Sequence, residues 1–152
     1  VPGVELSTDL IVGFPSETDE DFERTLYCLE QVRFSQVFAF KYSQRPGTDA
    51  SKMEDDVPRE VKEERLARVI ALQDRINAEK QAAYAGTLQE VLIDGASTKK
   101  RGHMVGRTDG FKPVSVDAAH LEIGDIVQVR ITGHEGHWLN GELVNAPAAA
   151  TA

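Results

Sequence analysis

The sequence predicts an α/β segment, part of a TIM-like β/α barrel, followed by a small all-β, OB-like barrel. Three observations predict it. Two apolar runs that end in turns are separated by a helix-period segment, giving the order strand, helix, strand. A long helical stretch follows. Beyond Gly86 the apolar period changes from 3.6 to two, with turn residues at short intervals. The expected boundaries are 1–84 for the α/β segment, 85–146 for the β-domain and 147–152 for a disordered, Ala-rich tail.

Glu5 to Phe14, ELSTDLIVGF, reads as the first strand, ended by Gly-Phe-Pro. Its continuous Leu10-Ile11-Val12 predicts a strand covered on both faces, as in a parallel sheet. A helix is expected over 19–32, with Thr18 as N-cap and Asp21 answering it three residues on. Phe22, Leu26, Leu29 and Val32 share one face of it, and Cys28 reads as a half-buried small hydrophobe. Ser35 to Tyr42 is the second strand. After a Gly/Pro/Asp-rich connection, Pro58 opens a helix expected to reach Tyr84. Val61, Leu66, Val69, Ile70, Gln73 and Ile76 form its expected buried stripe, with Arg and Glu on the opposite face. In the β-domain, strands are expected near 87–94, 104–108, 112–117, 125–133 and 138–144. Val127, Val129 and Ile131 alternate there with Gln128, Arg130 and Thr132.

Composition narrows the function classes. The chain has 152 residues and a net charge of −8. Residues 1–83 hold 11 basic against 17 acidic side chains, and 84–152 hold 6 against 8. That balance argues against indiscriminate nucleic-acid binding but leaves room for a local basic face. No apolar run is long enough to span a membrane, so no membrane partner is expected. Cys28 is the single cysteine, which excludes an intrachain disulfide and a cysteine-ligated cluster built from this chain alone. A cytoplasmic setting is the expectation. The chain opens on Val1-Pro2-Gly3 inside the first strand unit, so it reads as the tail of a larger polypeptide whose N-terminal part is missing here.

DLIVGFPSET (9–18), FKYSQRPGTDASKM (40–53) and VPREVKEERLARVIALQ (57–73), in that order, resemble the C-terminal third of the radical S-adenosylmethionine methylthiotransferases. GTLQEVLIDG…MVGRT…GDIVQVRIT…LNGEL resembles the TRAM module that follows in those enzymes. The resemblance implies a partial radical-SAM barrel with a TRAM barrel after it, and it covers about Val4 to Val144. Phe40, Lys41, Arg45 and Pro46 side with the tRNA-modifying members, which place a methylthio group on C2 of N6-isopentenyladenosine beside the anticodon. Two further readings stay open: a free-standing RNA-binding module, and a fragment of the sister enzyme that acts on a ribosomal-protein aspartate. The implied cofactors are S-adenosylmethionine and two 4Fe-4S clusters. The CxxxCxxC ligand motif is absent, so this chain alone is expected to be inactive, with no catalytic residue of its own. Two positions depart from the family pattern: Ser16 stands where Gly is usual, and Asp49 where Pro is usual.

By that resemblance Ile11 and Gly13, at a strand's C-terminal end, wall the cofactor's adenosyl pocket, with Tyr42, Ser43 and Arg45 on the same rim. The Arg45 guanidinium could hold a carboxylate or phosphate, or instead pin the Gly47 loop. In the β-domain, Lys99, Lys100, Arg101, Arg107, Lys112 and Arg130 are the candidate contacts to tRNA at its anticodon stem-loop, with Phe111 as a stacking ring. His134-Glu135-Gly136-His137 lacks HExxH spacing and is read as a turn rather than a metal site. Trp138 is read as packing.

Overall fold

The computed structural model describes residues 4–144; the tail at 147–152, expected to be disordered, lies outside the described residues. The chain divides into two compact units, one over Glu5–Asn77 and the other from Ala78 onward.

In the first unit, β1 (Ser7–Val12) and β2 (Gln36–Lys41) flank α1 (Asp19–Val32). The strands pair in parallel, Ser7 opposite Gln36 and Val12 opposite Lys41. Helix α1 begins where its caps dictate. The Thr18 hydroxyl accepts the Asp21 amide at 3.2 Å, and the Asp21 carboxylate accepts the Thr18 amide at 3.1 Å. The Thr18 hydroxyl also donates to Asp21 Oδ2 at 2.6 Å, and this bond together with the Thr18 amide holds the Asp21 carboxyl below its usual range. At the other end Arg33 adopts a left-handed cap, φ 52°.

Val12, Phe22, Leu29 and Val69 form the core here, with Leu10, Val37, Ala39 and Leu66 packed against them. The expectation that both faces of β1 are covered is corrected: burial alternates along both strands. Leu10 and Val12 face the core, while Ile11, Phe38 and Phe40 are 51%, 46% and 57% exposed on the other face. Period two makes this unavoidable once helices pack on only one side. Cys28 is exposed, which corrects its placement as half-buried; position 28 turns away from the Phe22–Leu29 face of α1.

A 3₁₀ turn at Asp49–Lys52 leads to α2 (Arg59–Ala82). Its stripe differs from the expected one. Ile70 is exposed, whereas Lys62 and Arg65 are buried in line with Val69, Gln73 and Ile76. The cause lies in the segments packed on its first turns, which bring carboxylates to those cations. Nearby, hydrogen bonds from Lys41 and Arg59 hold the exposed Glu63 carboxyl down at about 2.

The second unit is a closed five-stranded barrel in the order β3-β4-β5-β7-β6. Its strands are β3 (Leu88–Ala96), β4 (His103–Thr108), β5 (Pro113–Asp117), β6 (Ile126–Glu135) and β7 (Trp138–Leu143). All neighbours are antiparallel except β5 and β7, which run parallel. This is OB-like topology. Val91, Ile93, Val114, Val116, Val129, Ile131 and Leu139 fill the interior. Bulges between Ile93 and Gly95 and between Ile131 and Gly133 bend the two longest strands enough to close the barrel.

Candidate functional site

The β1–α1 turn is held from below by α2. Gly13 ends β1 with φ 67°, and its amide donates to Glu17 Oε2 at 2.7 Å. The same carboxylate oxygen accepts Arg65 Nη1 at 2.6 Å, while Arg65 Nη2 reaches Asp19 at 2.7 Å. Burial works against the Arg65 charge, yet the hydrogen bonds it donates to Asp19 and Glu17 keep the guanidinium above its usual range. Asp56 accepts the Ser16 amide at 2.7 Å. Lys62 pairs with Asp55, and its ammonium lies 5.1 Å from the centre of the Tyr42 ring.

The rim residues named from sequence fall into two groups. Ile11, Ser43 and Arg45 are exposed, and among the described residues no acid pairs with the Arg45 guanidinium. The Gly47 loop is pinned instead by backbone and neighbours: the Arg45 carbonyl accepts Thr48 Oγ1 at 2.9 Å, and Gln44 donates to the Ser51 carbonyl at 2.7 Å. Gly13 and Tyr42 are buried. The Tyr42 hydroxyl donates to the Ala50 carbonyl at 2.9 Å, and its ring packs edge-on against Phe14 at 5.2 Å. Tyr42 is a buttress beneath the rim rather than part of its surface.

Sequence reasoning missed Lys62, Arg65, Asp55 and Asp56. The signal was available in part. Lys62, Arg65, Val69, Gln73 and Ile76 are spaced by three and four residues, so the apolar stripe, extended backward, runs into two cations.

Ser16 takes φ 69°, the left-handed conformation in which a β-carbon is penalised. Ser16→Gly should therefore stabilise the protein by about 0.5–1 kcal/mol, after allowing for glycine's freer unfolded chain. A thermal or urea midpoint measures this; a lower midpoint would mean the Ser16 side chain contributes something the geometry does not show.

In the barrel, the 97–102 loop is tightly wound. Ser97 Oγ accepts the amides of Lys99 and Lys100 at 3.3 and 3.0 Å, and the loop closes through Ser97 N to His103 O at 2.9 Å. Lys100 crosses to the β6–β7 hairpin, reaching Glu135 at 3.0 Å and Asn140 at 3.3 Å. Its ammonium holds the Glu135 carboxyl below the usual range. His103 meets Ser115 Oγ at 3.2 Å, and Ser115 stands opposite Asn140 across β5 and β7. Lys99 and Arg101 are exposed, and among the described residues neither forms a salt bridge, though the Lys99 charge acts on Glu135. One surface thus joins Lys99, Lys100, Arg101, His103 and Asn140.

The other candidate cations stand elsewhere. Arg107 shares the outer face of β4 with His103 but pairs with Asp94 at 3.0 Å. Arg130 is exposed on β6 opposite Leu88. Lys112 is buried, 8% exposed, and its amide bonds Thr108 Oγ1, so as a surface cation it is corrected. Phe111 is 76% exposed with φ 59°, set out at the β4–β5 turn. Trp138 is partly exposed, not packed away. Among the described residues no group of three or more His, Cys, Asp or Glu side chains could hold a metal ion, and no helix is long and apolar enough to cross a membrane.

Comparison with known proteins fits this division of the chain. Residues 82–144 match the family described as TRAM domain. The chain is 48% identical over 144 residues to the tRNA-2-methylthio-N(6)-dimethylallyladenosine synthase of Anoxybacillus flavithermus, covering 95% of this chain and 27% of that protein. Proteins of the same name from Acetivibrio thermocellus and Aquifex aeolicus are 46% and 45% identical, covering 95% of this chain and 30% and 32% of their own lengths. The chain therefore spans about a third or less of the curated relatives it matches. Over nearly its whole length the chain is similar to the tRNA-2-methylthio-N(6)-dimethylallyladenosine synthases, and its residues 82–144 match the TRAM domain.

Proposed function

We propose that this chain is the C-terminal portion of a radical S-adenosylmethionine enzyme that adds a methylthio group to C2 of N6-isopentenyladenosine next to the tRNA anticodon. The observation that carries the reading is identity of 45–48% across 95–97% of the chain to relatives bearing that activity in their names. The first unit supports it. Two parallel strands with an apolar, exposed face and open edges are an incomplete layer, of the kind that further β/α units of a barrel would complete. On this reading residues 1–84 are barrel spokes, 85–146 the RNA-binding module, and the setting is cytoplasmic, where the tRNA is met.

S-adenosylmethionine fits the residues present. Ile11 and Phe40, opposite each other in the register, offer an apolar wall; Ser43 and the unpaired Arg45 guanidinium offer polar contacts for a carboxylate. When bound, the cofactor supplies the radical chemistry; this chain's residues bind and orient it. The 4Fe-4S clusters do not fit here, because a single exposed cysteine cannot supply a ligand set. Their ligands belong to the upstream part of the polypeptide.

The TRAM barrel holds the tRNA. In OB-like barrels, oligonucleotides lie on the second and third strands and on the loops joining strands one to two and four to five. Here those are β4, β5, the 97–102 loop and the β6–β7 hairpin, the parts that Lys100 ties together. Lys99 and Arg101 face phosphate, while base selection is left to the barrel rim of the first unit.

In the full-length enzyme, Lys99→Ala with Arg101→Ala should weaken anticodon stem-loop binding about tenfold or more and shallow the salt slope by about one per lost phosphate contact. Filter binding across a salt series measures both. Unchanged affinity and slope would move the RNA off this surface.

A further inference from the structure

Lys62 is a buried lysine that neither cofactor binding nor RNA binding uses. Its side chain is 7% exposed. Three segments meet on it. The ammonium pairs with Asp55, in the loop before α2, and sits over the ring of Tyr42, the residue just past β2. The aliphatic stem lies against Gly13, the residue just past β1. A β-carbon at Gly13 would overlap Lys62 Cγ and crowd its Cδ at 3.1 Å. The two strand ends are neighbours, since Tyr42 N donates to Val12 O at 2.9 Å. One side chain therefore touches the ends of both strands and the loop beneath them.

Stability alone does not call for a charge here. A buried ion pair exchanged as a whole for apolar side chains of similar volume is commonly lost at little or no cost, because desolvation offsets the Coulombic gain. A methionine would fill the same channel under Gly13. What methionine could not do is take Tyr42 by its ring face and Asp55 by its carboxylate at once, so that each fixes the other's position.

We propose that Lys62 is a positioning residue, setting the separation and orientation of the β1 and β2 strand ends through Gly13 and Tyr42. The residues it positions are Ile11, Ser43 and Arg45, so the proposal rests on the reading of that rim as part of the S-adenosylmethionine site. Lys62 acts through its neighbours and is not itself a contact to the cofactor.

The test uses the full-length enzyme and compares Lys62→Met, Asp55→Asn and Arg45→Ala with wild type. Lys62→Met keeps the stem and removes the charge. Asp55→Asn removes the partner at a half-exposed position without opening a cavity, so it serves should Lys62→Met fail to fold. Direct binding of S-adenosylmethionine by equilibrium dialysis should weaken about tenfold in Lys62→Met and severalfold in Asp55→Asn, the scale expected when bound groups are misplaced by a fraction of an ångström. KM for S-adenosylmethionine should rise more than kcat falls and anticodon stem-loop affinity should be held, with all proteins compared at a temperature below the lowered unfolding midpoints that loss of one partner of the pair brings. Arg45→Ala weakened with Lys62→Met and Asp55→Asn unchanged would overturn the role of Lys62 and leave the rim reading intact. If Arg45→Ala also binds as wild type, the rim reading fails and the proposal with it.

Discussion

Gly106→Ala should destabilise the closed β-barrel by about 3 kcal/mol, the upper range for overpacking a closed core. Gly106 lies on β4 opposite Ile93, beside the bulge at Ile93/Gly95. A β-carbon there would overlap the Leu92 carbonyl oxygen and stand 2.8 Å from Val91 Cγ1 and 2.9 Å from Leu92 C. Two of those three atoms are backbone. No rotamer relieves them, so β4 would have to move away from β3 and open the seam over Val91 and Ile93. Gly95→Ala is the matched control: its β-carbon would meet Val105 Cγ2 at 3.7 Å, an ordinary contact. It should change stability by less than about 0.5 kcal/mol. Hydrogen exchange at the β3 and β4 amides reads the barrel locally, and about 100-fold lost protection in Gly106→Ala alone corresponds to the expected difference. Equal protection in the two variants would mean the seam is looser than the geometry shows.

The β-domain was legible because its signals are local. Val127, Val129 and Ile131 alternate with polar residues, and Gly or Asp marks nearly every turn. The bounds of α1 were legible for the same reason, since Thr18 and Asp21 cap each other three residues apart. What sequence reasoning misjudged depends on distant partners. Arg65 looks like a solvent-facing charge until Glu17 and Asp19, 48 and 46 residues away, are folded against it, and Lys62 until Gly13 and Tyr42 pack on its stem and ammonium. The grouping of the basic loop with Asn140, 40 residues from Lys100, follows only from barrel closure. Lys112 was misplaced because a cation beside a turn reads as exposed, yet β5 begins directly after it and the residue is drawn in with the strand. The Leu10-Ile11-Val12 run cannot by itself tell a strand covered on two faces from one covered on a single face. The exposed Ile11, Phe38 and Phe40 make that distinction.

Arg65→Met should cost about 3–5 kcal/mol, the range for removing one partner of a buried pair. The Glu17 side chain is 12% exposed and would keep the Gly13 amide as its hydrogen-bond donor while losing its cation. The Asp19 arm adds little, because that carboxylate is 95% exposed and water screens it. Glu17→Gln should cost less, about 1–2 kcal/mol, since the amide oxygen still accepts from Gly13 and Arg65 keeps the Glu17 carbonyl at 3.1 Å. The double variant carries no uncompensated charge in the pocket. It should therefore be more stable than the sum of the single losses by about 2 kcal/mol. Urea unfolding of the four proteins measures this coupling. A value near zero would show that Arg65 stabilises the fold by packing over Phe22, whose ring centre lies 5.4 Å from its guanidinium carbon, and not by clamping the β1–α1 turn through Glu17. A positive coupling of the expected size would make the pair the device that keeps Gly13 in its left-handed conformation, because the same carboxylate oxygen serves both groups.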